Sequence, residues 1–234
     1  MNKLLKDLDN IEASQELKQR TLNTILSHKK KTNQKPLVLG LVIVALLIFM
    51  FIPTSKESSV AYISMDINPS FEFEVNEDYK IINIISYNND GDKIINESHL
   101  KGQKLNDALN SLLTNQEYNQ YLKTGILEVS VFSLNQKLSN ELQSFMDTVL
   151  EQGQVKQYHC SQIDQKTYET ANQHHMSGGK YQVIEKILSY NSQYTQEELK
   201  NKSMKDLYSI LEDLNPNEVP KSCQNHGNHK NRHK

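Results

Sequence analysis

Apolar residues recur at helical spacing within the first 35 residues of the chain. They share one face of a predicted helix, at Leu17, Leu22, Ile25 and Leu26. Ser14 precedes this row and suits the N-cap position. A segment of this size cannot bury a core alone, so its apolar face is expected to lie on a protein partner or on a membrane surface. A basic tail near a membrane, without a partner, is the alternative.

An uninterrupted apolar run follows at residues 37–52, between Pro36 and Pro53. At about 1.5 Å per residue it covers about 24 Å, somewhat less than a hydrocarbon core of about 30 Å. Local thinning of the bilayer can absorb that difference. The run has no polar face, unlike a typical buried helix, and no small-x-small cleavage site follows it, unlike a signal peptide. The sequence therefore predicts a transmembrane helix over residues 36–53.

Lysines set the orientation of this predicted span. Most lie before it, at Lys29, Lys30, Lys31 and Lys35, and only Lys56 follows closely. The positive-inside rule then places residues 1–35 in the cytoplasm and the chain beyond the span outside the cell. The expected protein is a single-pass membrane protein with a small inner segment, a polar linker at residues 54–59 and a large outer domain.

Alternating apolar and polar residues begin after the linker and indicate β-strands. The pattern predicts strands at residues 61–67, 71–75 and 80–87. Asn-Asp-Gly at residues 89–91 is a strong hairpin-turn signal, so a short returning strand is expected at residues 93–95. Together these segments predict an antiparallel meander.

Helical spacing returns further along the chain. Helices are predicted at about residues 105–121, 138–149, 164–174, 179–189, 195–200 and 203–211. Further strands are predicted at residues 126–132 and 155–160. We therefore expect an α+β domain at residues 60–214, in which helices cover an antiparallel sheet. Residues 215–234 are polar and are predicted to form a disordered, histidine-rich tail.

The junction of the first two predicted strands contains an unusual bond, Asn68-Pro69. Proline has no backbone N–H, so the usual attack of the next backbone nitrogen on the asparagine side chain cannot occur. The Asn68 amide can instead attack its own backbone carbonyl, close a succinimide and expel Pro69, which breaks the chain. This needs a turn that strains and positions the amide. An inert turn is the alternative, since Asn-Pro is a common turn dipeptide that recurs at Asn215-Pro216.

Two neighbours of Asn68 are candidates for assisting this reaction. Asp66 lies two residues earlier and shares a strand face with Asn68 by the two-residue period. Its carboxylate could orient or deprotonate the amide, or it could merely bond to a turn N–H. Ser70 is a weaker candidate, as a hydrogen-bond donor to the carbonyl.

Composition and charge exclude several other classes of protein. The chain has 26 Lys and Arg against 28 Asp and Glu, a formal net charge of −2, so no general attraction to polyanions is expected. Basic residues are not grouped with aromatic residues, which argues against direct nucleic-acid binding. The sequence has no P-loop, GxSxG or HExxH pattern. We therefore expect neither a turnover enzyme nor a cofactor.

The tail contains residue types that bind zinc or copper, at Cys223, His226, His229 and His233. Their spacing fits no structural zinc motif well, and a solvated tail without metal is favoured. The chain has only two cysteines, Cys160 and Cys223, too few for a disulfide framework. They could nevertheless pair with each other outside the cell.

Three stretches resemble anti-sigma-I factors of the RsgI type. Residues 62–72 (YISMDINPSFE), 75–76 (VN) and 88–91 (NNDG) resemble the opening of that family's extracytoplasmic domain. Residues 174–181 (HHMSGGKY) resemble a later helix-turn segment of the family. The likeness extends over about residues 60–212.

The resemblance implies a membrane-spanning regulator whose cytoplasmic segment, residues 1–35, holds a sigma factor inactive. It implies self-cleavage between Asn68 and Pro69, with both fragments held together by the sheet. An intramembrane protease would then cut the anchored fragment and free the sigma factor. The cytoplasmic segment is shorter than the family's usual one, and no carbohydrate-binding module follows the domain. The alternative function is a membrane-anchored extracytoplasmic binding or metal-sensing module without self-cleavage.

Overall fold

The computed structural model describes residues 14–27, 58–191 and 193–224. The chain divides into two compact units, Met1–Ser55 and Lys56–Lys234. Within the described ranges, no helix is long and apolar enough to cross a membrane. The run predicted to do so, residues 36–53, lies outside those ranges.

The described part of the first unit is the helix α1 (Gln15–Ser27). It begins as predicted, because the Leu17 backbone N–H donates to Ser14 Oγ at 3.3 Å and so makes Ser14 the N-cap. The apolar row of this helix has side chains that are 56–70% exposed, at Leu17, Leu22, Ile25 and Leu26. Within the described residues, the helix therefore presents an exposed apolar face.

The second unit is built on a five-stranded sheet. Its strands are β1 (Ala61–Asp66), β2 (Ser70–Val75), β3 (Ile81–Ser86), β4 (Leu127–Phe132) and β5 (Tyr158–Gln162). They lie in the order β3-β2-β1-β4-β5, so β1 is the central strand. It is antiparallel to both of its neighbours, β2 and β4, whereas β4 and β5 are parallel. The α+β class is confirmed, but the sheet is mixed and not antiparallel as predicted.

Helices connect and cover these strands. Before β4 lie α2 (Asn89–Ser98), α3 (Leu105–Thr114) and α4 (Gln116–Thr124), and after β5 lie α6 (Gln165–Gln173), α7 (Gly178–Tyr190), α8 (Gln196–Lys200) and α9 (Met204–Leu214). Between β4 and β5 lies α5 (Gln136–Gln152), which returns the chain to the starting end of the sheet and so makes this pair parallel. The last elements are 3₁₀ turns at Pro216–Glu218 and Lys221–Cys223. The helices predicted from about residue 138 onward are confirmed.

The hairpin predicted at residues 89–91 is wrong, because this sequence starts helix α2. Asn88 is its N-cap, with an extended backbone and a side-chain oxygen that accepts from the Gly91 N–H at 2.8 Å. Asp90 and Asp92 lie in the first turn, where the helix dipole favours acidic side chains. Ile94, expected in a returning strand, instead faces the core from this helix and is fully buried.

The single helix predicted at residues 105–121 is also wrong, because it is divided into α3 and α4. Asn115 separates them with an extended backbone, φ −64° and ψ 127°. Its side chain accepts from the backbone N–H groups of Glu117 and Tyr118 at 3.0 and 2.9 Å. An asparagine cap in the middle of a continuous apolar pattern therefore ends one helix and starts the next.

The two faces of the sheet differ in chemistry although both are buried. One face is apolar and includes Ile63, Met65, Phe71, Phe73, Val129 and Val131, all fully buried. Leucines of α3 and Leu142 of α5 join the same apolar cluster. The opposite face is polar and includes Ser64, Asp66, Ser70, Glu72, Glu128 and Ser130, none more than 3% exposed. The predicted alternation is present, but its polar side faces protein and not solvent.

The polar face is covered by residues 164–224, which we call the helical layer. Its α7 packs against β1 and β4 at the middle of the sheet. The layer has an apolar cluster of its own, with members Ile184, Ile187, Leu207 and Leu211. Since these side chains pack mainly on one another, the layer meets the sheet largely through hydrogen bonds. This arrangement places buried polar groups around the turn between β1 and β2.

Candidate functional site

The turn between β1 and β2 contains Asn68 in a strained backbone conformation. Its φ is 112°, whereas the residue before a proline is normally restricted to negative, extended φ values. Positive φ is uncommon for any residue other than glycine. The fold thus stores backbone strain next to the Asn68-Pro69 bond.

Hydrogen bonds fix the Asn68 side chain from two directions. Its Nδ2 donates to Asp90 Oδ2 at 3.0 Å, and its Oδ1 accepts from Asn88 Nδ2 at 2.9 Å. Both partners come from the start of α2. The amide nitrogen therefore has a carboxylate as its acceptor, which is the group that could take a proton from it.

Asn88 joins the turn to α2 through both atoms of its amide. While its Nδ2 bonds to Asn68, its Oδ1 accepts from the backbone N–H of Ser70 at 3.1 Å and from that of Gly91 at 2.8 Å. Gly91 permits this approach, since a Cβ there would lie 2.4 Å from the Ser70 carbonyl oxygen. The NNDG stretch is thus the support of the turn and not a turn of its own.

Asp66 is buried beneath the turn but does not contact the Asn68 amide. Its carboxylate accepts from the hydroxyl of Ser70 and from Ser177 Oγ, the latter at 2.5 Å. Burial raises the pKa of Asp66 to about 6, against the lowering effect of these two hydroxyls. Both sequence candidates therefore bond to each other, and among the described residues Asp90, which sequence reasoning missed, takes the amide hydrogen bond.

The backbone carbonyls around Asn68 differ in their bonding. The Ile67 carbonyl accepts from the Met204 N–H at 3.1 Å, and the Pro69 carbonyl accepts from the Ile67 N–H at 2.9 Å. The Asn68 carbonyl accepts no hydrogen bond from any residue in the described ranges. The Asn68 carbonyl, which the amide would attack, thus lacks a hydrogen bond from the described residues, whereas the carbonyls before and after it each accept one.

A small polar cavity of about 90 Å³ adjoins the turn. Asn68 and Asn88 line it on the sheet side, and His175, Lys180 and Lys200 line it from the helical layer. Lys180 is only 6% exposed. Its burial lowers the pKa of its ammonium, which Asp66 partly offsets. The strained turn is therefore partly buried and adjoins a cavity that a buried cation also lines.

Two further carboxyl groups, those of Glu72 and Glu128, lie on the polar face. Glu128 accepts from Tyr208 OH at 2.5 Å and pairs with His159 Nδ1 at 3.0 Å. Glu72 accepts from Tyr168 OH at 3.4 Å. Burial, together with repulsion from Asp66, raises the pKa of Glu72 to about 8. The layer thus supplies hydroxyl and imidazole partners to carboxyl groups that are out of reach of water.

The remaining predicted site residues lie elsewhere. Cys223 is buried in a 3₁₀ turn, where burial raises the pKa of its thiol to about 12, and Cys160 is likewise a free thiol. Three predicted metal ligands, His226, His229 and His233, lie outside the described residues. Within the described ranges, no three metal-binding side chains come together. The apolar row of α1 is in the other unit.

Comparison with known proteins identifies the central part of the chain. A family model described as the anti-sigma factor RsgI-like central domain matches residues 60–186, more than half of the chain. The chain is 25% identical over 185 residues to anti-sigma-I factor RsgI9 of Acetivibrio thermocellus, an alignment that covers 71% of this chain and 26% of that protein. It is 28% identical over 179 residues to RsgI5 of the same organism, covering 67% and 37%.

A third relative matches over a shorter stretch. The chain is 38% identical over 55 residues to anti-sigma-I factor RsgI of Bacillus subtilis, which covers 23% of this chain and 14% of that protein. In each of these three alignments the chain spans well under half of the relative's length. The family match at residues 60–186 contains the sheet and its strained turn.

Proposed function

Because the chain belongs to the family of the anti-sigma factor RsgI-like central domain, we propose that it is a transmembrane anti-sigma factor that cleaves itself between Asn68 and Pro69. Its inner segment would hold a sigma factor at the membrane, and its sheet domain would lie outside the cell. The observation that carries the self-cleavage is the geometry of Asn68, whose φ is 112° and whose amide donates to Asp90.

The proposed reaction is an intramolecular acyl transfer. Asn68 Nδ2 bonds to the Asn68 carbonyl carbon and gives its proton to the Asp90 carboxylate, and the carbonyl oxygen takes up negative charge. The carbonyl then re-forms as the bond to the Pro69 nitrogen breaks, and that nitrogen takes a proton and becomes the new amino terminus. Asn68 is left as a C-terminal succinimide, which water opens to a carboxylate. The strained backbone brings the starting state closer to this path.

The position of β1 supports a cleaved domain that stays together. Cleavage leaves β1 on the anchored fragment and β2 on the other, yet β1 pairs with β2 from Ala61 to Asp66 and with β4 from Tyr62 to Asp66. Its apolar side chains, among them Ile63 and Met65, are fully buried in the shared core. Two hydrogen-bonded ladders and this core would hold the fragments after the bond is cut.

The apolar face of α1 supports the cytoplasmic half of the proposal. An uncovered row of leucine and isoleucine on an amphipathic helix fits a groove on a protein partner, here a sigma factor. We expect Leu22→Asp in the full chain to remove a bound sigma factor from pull-downs analysed by mass spectrometry. Asn23→Asp, on the side of the same exposed helix that lies away from Leu22 and Ile25, is the control, and equal loss in both would contradict a role for the apolar face.

Release of the sigma factor is the last step of the proposal. Separation of the fragments would leave a short stub on the membrane, which an intramembrane protease could cut. The inner segment would then leave the membrane together with the sigma factor. No cofactor, metal or direct nucleic-acid contact is needed in this scheme.

Intact mass spectrometry of the full chain tests the self-cleavage. We expect the wild-type chain to yield two fragments divided between Asn68 and Pro69, with part of the first fragment one water lighter because of the succinimide. The Asn68→Ala chain should remain whole, and Asn215→Ala should be cut like the wild type. A wild-type chain that stays whole after long incubation would reject self-cleavage and favour a membrane-anchored binding module.

A further inference from the structure

Lys180 is a buried cation that the proposed reaction has not yet used. It lies in the first turn of α7 and is 6% exposed. A cation in the first turn faces the positive end of the helix dipole, which disfavours it. Burial of a charge without a close partner is also costly. The helix dipole and burial both disfavour a charged Lys180, so its presence here points to a function.

The ammonium of Lys180 makes no hydrogen bond or ion pair with any residue in the described ranges. The negative charge that favours the protonated form of Lys180 is that of Asp66, whose carboxylate already accepts hydrogen bonds from two hydroxyls. The structural alternative is that Lys180 only balances Asp66. That alternative explains why residue 180 is positively charged, but it does not explain why Lys180 lines a cavity.

The cavity brings Lys180 and Asn68 together. It measures about 90 Å³, room for about three water molecules, and both residues line it. Lys180 and Lys200 bring positive charge to this space, but the Lys200 ammonium donates to the His174 carbonyl at 2.8 Å. Lys180 is the buried cation in this cavity whose donors are uncommitted among the described residues.

We propose that the Lys180 ammonium stabilises the negative charge that forms on the Asn68 carbonyl oxygen during self-cleavage. The proposal rests on the self-cleavage proposed above and adds a residue to it. When Nδ2 bonds to the carbonyl carbon, an electron pair moves onto that oxygen, and it returns as the bond to Pro69 breaks. The Asn68 carbonyl accepts no hydrogen bond from the described residues, so it is free to bond to an ammonium at that moment. Preorganised donors at a developing oxyanion are a major source of rate enhancement.

The test follows uncut full chain over time after cell-free synthesis into lipid nanodiscs. We expect Lys180→Met to slow the cut on the order of 100-fold, and Lys180→Arg, which keeps the charge, to slow it much less. Lys186→Met is the matched control, since this lysine lies on the same helix and pairs with Glu218 at the surface. It should cut at the wild-type rate.

Folding is checked by thermal melting of each uncut chain against Asn68→Ala. A folded Lys180→Met chain that cuts within about threefold of the wild-type rate, well short of the loss typical for an oxyanion donor, would overturn the proposal. Equal slowing by Met and Arg would also overturn it, because the charge would then not matter. If the wild-type chain itself is never cut, the proposed self-cleavage is wrong, and this result can be told apart from a failure of the role proposed for Lys180.

The pH profile of the wild-type chain is a second measurement that needs no variant. Burial lowers the pKa of Lys180 from its ordinary 10.5, so the cleavage rate should fall in alkali below that pH as the ammonium is lost. The titratable groups that face it are Asp66 from β1, Tyr87 after β3, His175 before α7 and Lys200 from α8. A rate that keeps rising up to pH 10.5 would contradict the role of the ammonium.

Discussion

The chain contains the same dipeptide, Asn-Pro, in two very different settings. Asn215 has an extended backbone, φ −154° and ψ 94°, and its negative φ is the kind expected before proline. Asn68 has φ 112°, outside that region. The Asn215 amide donates to Tyr190 OH at 2.9 Å, whereas the Asn68 amide donates to the carboxylate of Asp90. The two dipeptides are chemically identical. They differ in the backbone conformation of the asparagine and in the group that accepts a hydrogen bond from its amide.

One helix lies next to both bonds. The first N–H of α9, at Met204, donates to the carbonyl of Ile67, directly before Asn68, and the helix ends at its C-cap Asn215. At its end Asn215 only terminates a helix and starts a 3₁₀ turn. The two asparagines thus differ in what holds them, and under the proposed self-cleavage only Asn68 reacts. Of the four changes below, the first two test this difference, and the other two test the stability of the domain.

The largest effect is expected from Asp90→Asn. The amide of asparagine can still accept a hydrogen bond from Asn68, but it cannot take its proton. The rate of cleavage at Asn68 should therefore fall on the order of 100-fold or more, measured as uncut full chain over time. Asp92→Asn is the control, as the other acid in the first turn of α2. Unchanged cleavage in Asp90→Asn would show that this carboxylate is not the base.

Gly91→Ala should have the next largest effect. The new Cβ would lie 2.4 Å from the Ser70 carbonyl oxygen and 2.7 Å from Ser86 Oγ, so the start of α2 must move away from the turn. Asn68 would lose its supports, and cleavage should slow about tenfold, while the fold loses about 1–3 kcal/mol. Asn89→Ala, at an exposed neighbour, should change neither. Normal cleavage in Gly91→Ala would mean that Asn68 keeps its strain without α2.

Docking of α9 can be weakened without touching either turn. Tyr208→Phe removes the O–H that donates to buried Glu128 and should lower the free energy of unfolding by about 1–3 kcal/mol. Tyr118→Phe is a matched control, because the Tyr118 hydroxyl is buried without a partner in the described residues, and its loss should be neutral or slightly stabilising. Denaturant unfolding measures both. Equal losses would argue against polar docking of the helical layer.

The smallest effect is a dependence of stability on pH. The pKa of Glu72 is raised from 4.5 to about 8 by burial and by Asp66, so its contribution to stability is fully present below about pH 4.5 and is lost as the pH rises through 8. The groups facing it are Tyr168 from α6, Tyr87 after β3, and the carboxyls of Asp66 and Glu74.

Glu72→Gln removes that titration and gives the measurement. Relative to the variant, the wild-type chain should lose on the order of 1 kcal/mol for each pH unit between pH 5 and pH 8, as determined by denaturant unfolding at each pH. Glu74→Gln should weaken the wild-type dependence only slightly, because the Glu74 charge contributes less to the raised pKa of Glu72 than burial and Asp66 do. A pH-independent difference between wild type and Glu72→Gln would mean that Glu72 is ionised throughout.

Local sequence signals predicted much of the fold and the position of the strained turn. Period-two alternation located β1 and β2, and the chemistry of Asn-Pro pointed to Asn68. The signal at residues 89–91 failed because Asn-Asp-Gly suits both a hairpin and a capped helix start, and the Asn88 cap decided between them. Asp90 was therefore missed, since its closeness to Asn68 depends on where α2 begins.

The polar face of the sheet shows why the rest could not be predicted. The alternating pattern predicts that Glu72 and Glu74 point away from Phe71 and Phe73, and side chains on that face of an antiparallel sheet are commonly exposed to solvent. Only the packing of a helical layer, more than ninety residues later in the chain, turns that face into an interior. The burial of Lys180 has the same cause, because α7 directs it toward a turn that is distant in sequence.

The central position of β1 has a consequence for the direction of signalling. Withdrawal of β1 after cleavage would leave β2 and β4 as two facing open edges, separated by the width of one strand, about 10 Å. It would also bare the apolar side chains of the sheet. Such edges pair readily with other extended chains, and the anchored stub would be too short to refold alone. Separation would therefore be irreversible, and each molecule could report its stimulus once, so renewal of the response would require new synthesis.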